Sequence, residues 1–288
     1  MKKEKIEFKI EHMDSLGQGV SKNDNKITFI SHALPKEEGI AYLHKQKKGV
    51  QFAQLKSIDD LTLVSKNRIT PECSHFGLCT SCQYLHTDYA NELSSKENNL
   101  TRMLKHPVIV HPAKQRFNYR NRIQLHYDLI KEKIGFISNI NYEIIPIPNC
   151  VIPDQKIQEE MINLYKGDNW INLVKKNTKY NKGHIELYKK NDGKIKISFN
   201  DHYAAGGFSQ VNTEMNIELI NYIFQFYKDK NINNIIDLFG GSGNLTAKFN
   251  KSKVTVIDSI KPNTPLKGHQ SFISLNLYKK NILQELKN

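Results

Sequence analysis

IIDLFGGSGNLT, residues 235–246, is an apolar run that stops at a glycine-rich turn. Ile235, Ile236 and Leu238 read as a strand, Gly240, Gly241 and Gly243 as the turn, and the residues from Asn244 as an opening helix. Strand, glycine turn and helix in that order let the backbone approach a nucleoside closely, as in Rossmann-like folds. A glycine loop alone occurs in many turns, so its neighbours decide. KVTVIDS, residues 253–259, ends a second strand at Asp258. An acid at that place can accept both hydroxyls of a ribose; the plainer reading is a strand-end cap. FISLNLYK, residues 272–279, reads as a third strand, and Pro262 and Pro265 before it forbid a regular helix interior.

Upstream, the pattern changes. Residues 5–58 alternate apolar and polar residues in short runs (IEFKI, KITFI, IAYLHKQ, VQFAQLKSI) broken by turns, the signature of a small barrel. DYANELSSKENNLTRML, residues 88–104, has helical periodicity. YRNRIQLHYDL, KIGFI and YEIIPI return to strands, and IPDQKIQEEMINLY is a helix with Pro153 in its first turn. GHIELYKK and KIKISF form a hairpin around Asn191-Asp192-Gly193, and residues 213–228 form an amphipathic helix.

The formal net charge is +13 over 288 residues. Such an excess favours a polyanionic partner, RNA or DNA being the usual one; a lysine-rich composition throughout is the alternative. No apolar run approaches the ~20 residues of a membrane span, and MKKEKIEFKIEHMD lacks the apolar core of a signal peptide. A soluble, cytoplasmic chain with no membrane partner is expected.

Three of the four cysteines fall in CSHFGLCTSCQYLH, residues 73–86, as Cys73-x5-Cys79-x2-Cys82; the fourth is Cys150, in IPIPNCVIP. Clustered thiols in a cytosolic chain point to a metal rather than to disulfides. Four thiolates suit zinc or an iron–sulfur cluster, and three plus one fits a cubane cluster better than the paired knuckles of structural zinc. His75 and His86 are possible zinc ligands, though a histidine beside cysteines is more often a polar neighbour.

CSHFGLCTSCQYLH followed by DYANELSSKENNL resembles the cluster segment of the bacterial RNA 5-methyluridine methyltransferases, which reads C-P-H-F-x-x-C-G-G-C-Q-x-Q-H. Thr80-Ser81 stand where that family has two glycines. IPIPNCVIPDQKI resembles the segment carrying the fourth ligand, so the resemblance implies a [4Fe-4S] cluster on Cys73, Cys79, Cys82 and Cys150. Residues 1–58 resemble the family's TRAM domain, a barrel of oligonucleotide-binding type whose basic face tracks phosphates. RFNYRNRIQLHY resembles the Y-R-x-R segment: Arg116, Arg120 and Arg122 would pair phosphates and Phe117 or Tyr119 would stack on bases. A solvated basic strand is the alternative; on a strand, Arg120 and Arg122 share one face.

The glycine loop resembles D-L-F-C-G-x-G-N-F-T, with Gly240 in place of the cysteine, and GGFSQVNTEMNIEL resembles the F-x-Q-x-N segment over bound S-adenosylmethionine. By position this implies Gln210, Phe239, Asn244, Asp258 and Asn276 around the cofactor, with Asp237, Gly241 and Gly243 shaping the loop. The expected fold is a multidomain α/β chain: a TRAM/OB-like β-barrel over 1–60, a central α+β RNA-binding and iron–sulfur domain over 61–204, and the N-terminal part of a Rossmann-like class I methyltransferase domain over 205–288.

The family continues with a D-P-P-R-like strand end, a nucleophilic cysteine and a glutamate base, and this sequence has none of them. The expectation is an S-adenosylmethionine-dependent RNA uracil-C5 methyltransferase acting on rRNA or tRNA, truncated or degenerate, and inactive on its own. The alternatives are a non-catalytic RNA-binding iron–sulfur protein derived from that family and, further off, a zinc-bound nucleic-acid module. A monomer is expected unless a partner completes the methyltransferase sheet.

Overall fold

A computed structural model describes residues 4–23, 26–79, 81–138, 141–190, 192–201, 210–262 and 265–279. The chain forms two compact units, Met1–Arg116 with Lys133–Val151, and Phe117–Glu132 with Ile152–Asn288.

The first unit begins with β1 (Lys5–Lys9), β2 (His12–Met13), β3 (Gly19–Asn23), β4 (Lys26–Ser31), β5 (Glu38–Lys47), β6 (Val50–Gln54) and β7 (Leu61–Leu63). They make one sheet of order β1-β5-β6-β4-β3-β2, with β7 added to β5. Only β4 and β6 run parallel. The two ends of that path, β1 and β2, are separated by Ile10 and Glu11 alone, so the sheet must curl upon itself. Ile10 N–H donates to Glu37 O (2.9 Å) and Glu11 N–H to Val20 O (2.9 Å) where it does so. Alternation puts Phe8, Ile30, Ala41 and Ala53 inside with Ile10 and Leu55. The expected short strands are thus present as a curled sheet, and β7 extends it past residue 60.

Helix α1 (Tyr89–Leu104) starts where Asp88 caps it, its carboxylate accepting from Asn91 N–H. Glu92 and Lys96 pair one turn apart at 2.6 Å. The helix is tied to the curled sheet by polar contacts: Asn99 Nδ2 donates to Asp14 O (2.7 Å) and Arg102 Nη2 to Met13 O (3.0 Å). Strand β8 (Arg122–Asp128) belongs to the second unit, and the hairpin of β9 (Lys133–Ile137) and β10 (Ile144–Ile145) to the first.

In the second unit β11 (Lys182–Lys189) pairs antiparallel with β8 and with β12 (Ile195–Phe199). Helices α2 (Gln155–Tyr165) and α3 (Asn169–Asn177) bury Ile157, Met161, Leu164, Trp170 and Val174. Asp154 caps α2, so Pro153 lies just outside the helix rather than in its first turn. The hairpin β11–β12 is present, its turn residue Asn191 lying outside the described residues.

Helix α4 (Thr213–Tyr227) follows, capped by Asn212, and then β13 (Asn234–Leu238), β14 (Lys253–Asp258) and β15 (Gln270–Ser274), parallel in the order β13-β14-β15. Phe249, Val254 and Val256 form their core with Ile223, Phe224 and Ile235. Among the described residues no strand pairs with the outer edge of β13, where Ile236 is 65% exposed and Leu238 49%. Full burial of such side chains is worth about 1.5–3 kcal/mol each, and this edge forgoes most of it.

A further expectation fails. No helix opens at Asn244: residues 245–248 are turns. Ala247, Phe249 and Ser252 donate to the carbonyls of Asn244, Thr246 and Phe249, each three residues back. Side chains hold this crossover instead. Thr246 Oγ1 donates to Asp237 Oδ2 (2.9 Å), and Gln270 Nε2 donates to Gly243 O (2.7 Å). Between Asp258 and Gln270 the described residues form no helix either, as the two prolines require. No helix among the described residues is long and apolar enough to cross a membrane.

Candidate functional site

The parallel strands end together, and their ends carry the residues singled out by sequence. Leu238 leads into Phe239, which takes a left-handed φ of 56°, uncommon for a bulky residue. Its ring lies 5.3 Å from that of Tyr278, beyond β15. Gly240 is sterically required: a Cβ there would sit 2.7 Å from Asp237 Cγ and 2.8 Å from Val256 Cγ1. That fits glycine where the resembling sequences carry cysteine. Gly243, at φ +67°, is required too, since a Cβ would meet the Gln270 amide at 2.6 Å.

Asp258 stands at the end of β14. Its Oδ2 accepts from Gly241 N–H (3.0 Å) and its Oδ1 from Ser259 N–H (2.6 Å). A carboxylate has about four accepting positions, so both oxygens retain capacity for a diol. The donor set and the bare glycine backbone therefore fit a nucleoside. Asp237 is occupied internally by Thr246, and burial, with Asp258 nearby, raises its pKa above the ordinary carboxylate value. Asn244 is engaged by Asn216 of α4, each side-chain amide donating to the other (3.1 and 2.6 Å). Asn276 accepts from Tyr278 N–H (3.0 Å) and so shapes the turn that carries Tyr278. Gln210 is exposed, and its carbonyl accepts from Asn121 Nδ2 (3.2 Å); residues 206–209 of the same segment lie outside the described residues. Sequence reasoning missed Gln270, Thr246, Asn216 and Tyr278, whose roles rest on contacts across 9 to 39 positions. Tyr278 stood in plain view inside FISLNLYK.

The arginine segment divides. Arg116 is held inside the first unit by Glu92 (3.1 Å), Glu72 (3.2 Å) and the carbonyls of Tyr84 and Thr87. Arg122 is buried on β8, donates to Glu186 (2.9 Å) and lies 4.7 Å from the Tyr188 ring centre. These two do not share an open face with Arg120, because each has a carboxylate partner far away in sequence. Arg120 is exposed; its backbone is fixed by Ile152, and Asp154 N–H donates to its carbonyl. Phe117 and Tyr119 are half-buried.

In the cysteine loop, Cys79 is buried and Cys73, Cys82 and Cys150 are half-buried, with no disulfide among them. Phe76 N–H donates to Cys73 O (3.1 Å) and Cys79 N–H to His75 O (2.8 Å), so the first two cysteines bracket a tight turn. Thr80 lies outside the described residues. Among the described residues no three His, Cys, Asp or Glu side chains form a group able to hold a metal. The expected gathering of Cys73, Cys79, Cys82 and Cys150 is thus not seen; all four do belong to the first unit. The loop is anchored through Arg68, whose Nε and Nη2 donate to Glu37 Oε1 and Oε2, both at 2.6 Å, and whose Nη2 donates to His32 O (2.8 Å).

Fold and site together define a mixed α/β chain with a curled, mostly antiparallel sheet and a three-stranded parallel sheet whose strand ends carry the glycine loop and Asp258. No protein-family model matches it. The chain is similar to the 23S rRNA (uracil(1939)-C(5))-methyltransferase RlmD of Photorhabdus laumondii, at 25% identity over 86% of this chain and 68% of that one. It is 33% identical to RlmD of Salmonella typhimurium over 51% of this chain and 34% of that protein. Among solved structures it resembles the Pyrococcus abyssi tRNA (uracil-54, C5)-methyltransferase in complex with S-adenosyl-L-homocysteine. That match has a TM-score of 0.66 and 18% identity, covering 88% of this chain and 73% of the other. Its relatives are therefore RNA uracil-C5 methyltransferases, and its mixed α/β fold is that of such an enzyme.

Proposed function

We propose that this chain binds RNA and S-adenosylmethionine on the scaffold of an RNA uracil-C5 methyltransferase acting on rRNA or tRNA in the cytoplasm. The observation that carries the proposal is Asp258, held to Gly241 across the ends of two adjacent parallel strands. There a carboxylate can take the ribose hydroxyls of a nucleoside lying on bare glycine backbone. Phe239 and Tyr278 offer aromatic faces beside it. The curled sheet β1–β7 is read as a TRAM-type barrel, and exposed Arg120 as a phosphate contact. S-adenosylmethionine would supply the methyl group, while these residues bind and orient it.

A second reading is a non-catalytic RNA-binding relative. The unit carrying the glycine loop contains no cysteine. Uracil C5 becomes a competent nucleophile only after a thiolate adds to C6, and a serine hydroxyl without a paired base is scarcely ionised near neutral pH. Protein mixed with 5-fluorouridine RNA and cofactor should therefore show no heat-stable shifted band on a denaturing gel; such a band would establish a nucleophile and restore catalysis. Salt-dependent RNA binding in either case supports the shared part of the proposal.

We also propose that the four thiols take up an iron–sulfur cluster, on the support of their spacing and shared unit. Anaerobically purified protein should carry about four iron atoms per chain; stoichiometric zinc without sulfide would contradict this.

A further inference from the structure

The cysteine loop, β6 and the β9–β10 hairpin, all in the first unit, enclose an open groove of about 620 Å³. That lies within the range of small-ligand sites. Three rings line it. Phe76 lies 5.4 Å from His86, nearly parallel at 23°, and 4.8 Å from His32. His86 is only 1% exposed, yet neither of its ring nitrogens meets hydrogen-bond geometry with a protein partner, although the Ala33 backbone is nearby. A buried imidazole with no more than a marginal bond to the Ala33 backbone is costly, and this one lines the groove. Gln54, Asn141 and Lys56 also line it; Gln54 Nε2 donates to Gly77 O (3.4 Å), and the Lys56 ammonium lies 4.2 Å from the Tyr42 ring centre.

We propose that this groove receives one unstacked RNA nucleotide, its base stacked on the Phe76 ring. The proposal deepens the RNA-binding reading and rests on it. Flat aromatic faces suit any base, which is how single strands are gripped. Gln54 keeps its amide oxygen as an acceptor and Asn141 its amide nitrogen as a donor, the pair a base edge uses, and Lys56 and the +13 charge of the chain suit the phosphates. Burial and Arg68 depress both histidines, His32 to about 4 and His86 to about 3. At neutral pH both rings are therefore uncharged and flank Phe76 as neutral aromatic faces. His32 has a left-handed backbone (φ 68°), and Arg68 holds its carbonyl (2.8 Å).

The test uses the full chain and a short single-stranded RNA containing 2-aminopurine, whose fluorescence is quenched on stacking. Wild type should bind with salt dependence and quench the probe. Phe76→Leu, which keeps an apolar filler, and Leu78→Asp, at a side chain 66% exposed on the groove wall, should each weaken binding about tenfold. Both should abolish the quench while retaining the wild-type melting temperature. Asn141→Ala, an exposed turn residue, should lower base discrimination without changing the salt slope. Arg120→Ala should do the reverse, flattening the salt slope and sparing the quench. Salt-dependent binding with no quench, or with a quench indifferent to both groove variants, overturns the groove as a base site and leaves the RNA reading intact. No RNA binding at all overturns both.

Discussion

The curled sheet of the first unit and the three-stranded parallel sheet of the second solve the same problem differently. The first joins its two ends through Ile10–Glu11 and fills the inside with Phe8, Ile30, Ala41 and Ala53, all under 5% exposed. The second leaves β13 with an unpaired edge, and Ile236 and Leu238 face solvent. Curling encloses that inner face, whereas the outer edge of β13 leaves donors and acceptors exposed. Single changes in the first unit should accordingly be costly, and equivalent changes at β13 cheap.

The largest effect is expected at Glu37. Its carboxylate is fully buried, bidentate to Arg68, and also accepts from Leu34 N–H (2.8 Å) and Ser65 N–H (3.3 Å). Glu37→Ala would strand the Arg68 guanidinium, and breaking such a pair costs about 3–5 kcal/mol. Urea unfolding followed at the first unit should show a loss of that size; a loss below about 1 kcal/mol would mean the pair is solvated.

Next comes acid. His86 is neutral when folded and titrates near 3, whereas its unfolded value is near 6.5; burial is the main cause, with Arg68, His32 and Arg116 adding to it. The unfolded chain therefore takes up the proton first. Stability from this group is complete above about pH 6.5 and is lost as pH falls towards 3, by about 2 kcal/mol at pH 5. His86→Leu should flatten the change in urea midpoint between pH 7 and pH 5. An equal slope in the variant would place the acid sensitivity elsewhere.

At the other extreme, Ile236→Ala on the open edge of β13 should cost under about 1 kcal/mol, because the side chain is already mostly in water. A larger loss in thermal unfolding would show that the edge is covered in solution and would erase the contrast.

The sequence made some of this legible and hid the rest for physical reasons. The strand ends at Leu238, Asp258 and Ser274 follow from apolar runs cut by glycine or polar residues, and the strands lie where those runs do. The helix expected after Gly243 does not form because Thr246 and Gln270 satisfy the turn from the side, and Gln270 is 27 positions from the glycine it holds. The arginines misled for the same reason. Arg116 and Arg122 read as surface charges until Glu92 and Glu186, 24 and 64 positions away, take them inside. Cysteine spacing pointed to a shared metal, and all four thiols fall in one unit, though no three metal-ligating side chains group together among the described residues.

The central claim is that the strand ends hold a nucleoside through Asp258. Equilibrium dialysis with radiolabelled S-adenosylmethionine, on wild type and Asp258→Asn, tests it most directly. Asparagine keeps an oxygen to accept from Gly241 N–H but loses the charge. The account predicts saturable binding by wild type, weakened about tenfold or more in the variant with the melting temperature unchanged, the scale of a lost charge-assisted hydrogen bond. Equal retention by both proteins, or no saturable binding by wild type at millimolar cofactor, would contradict it.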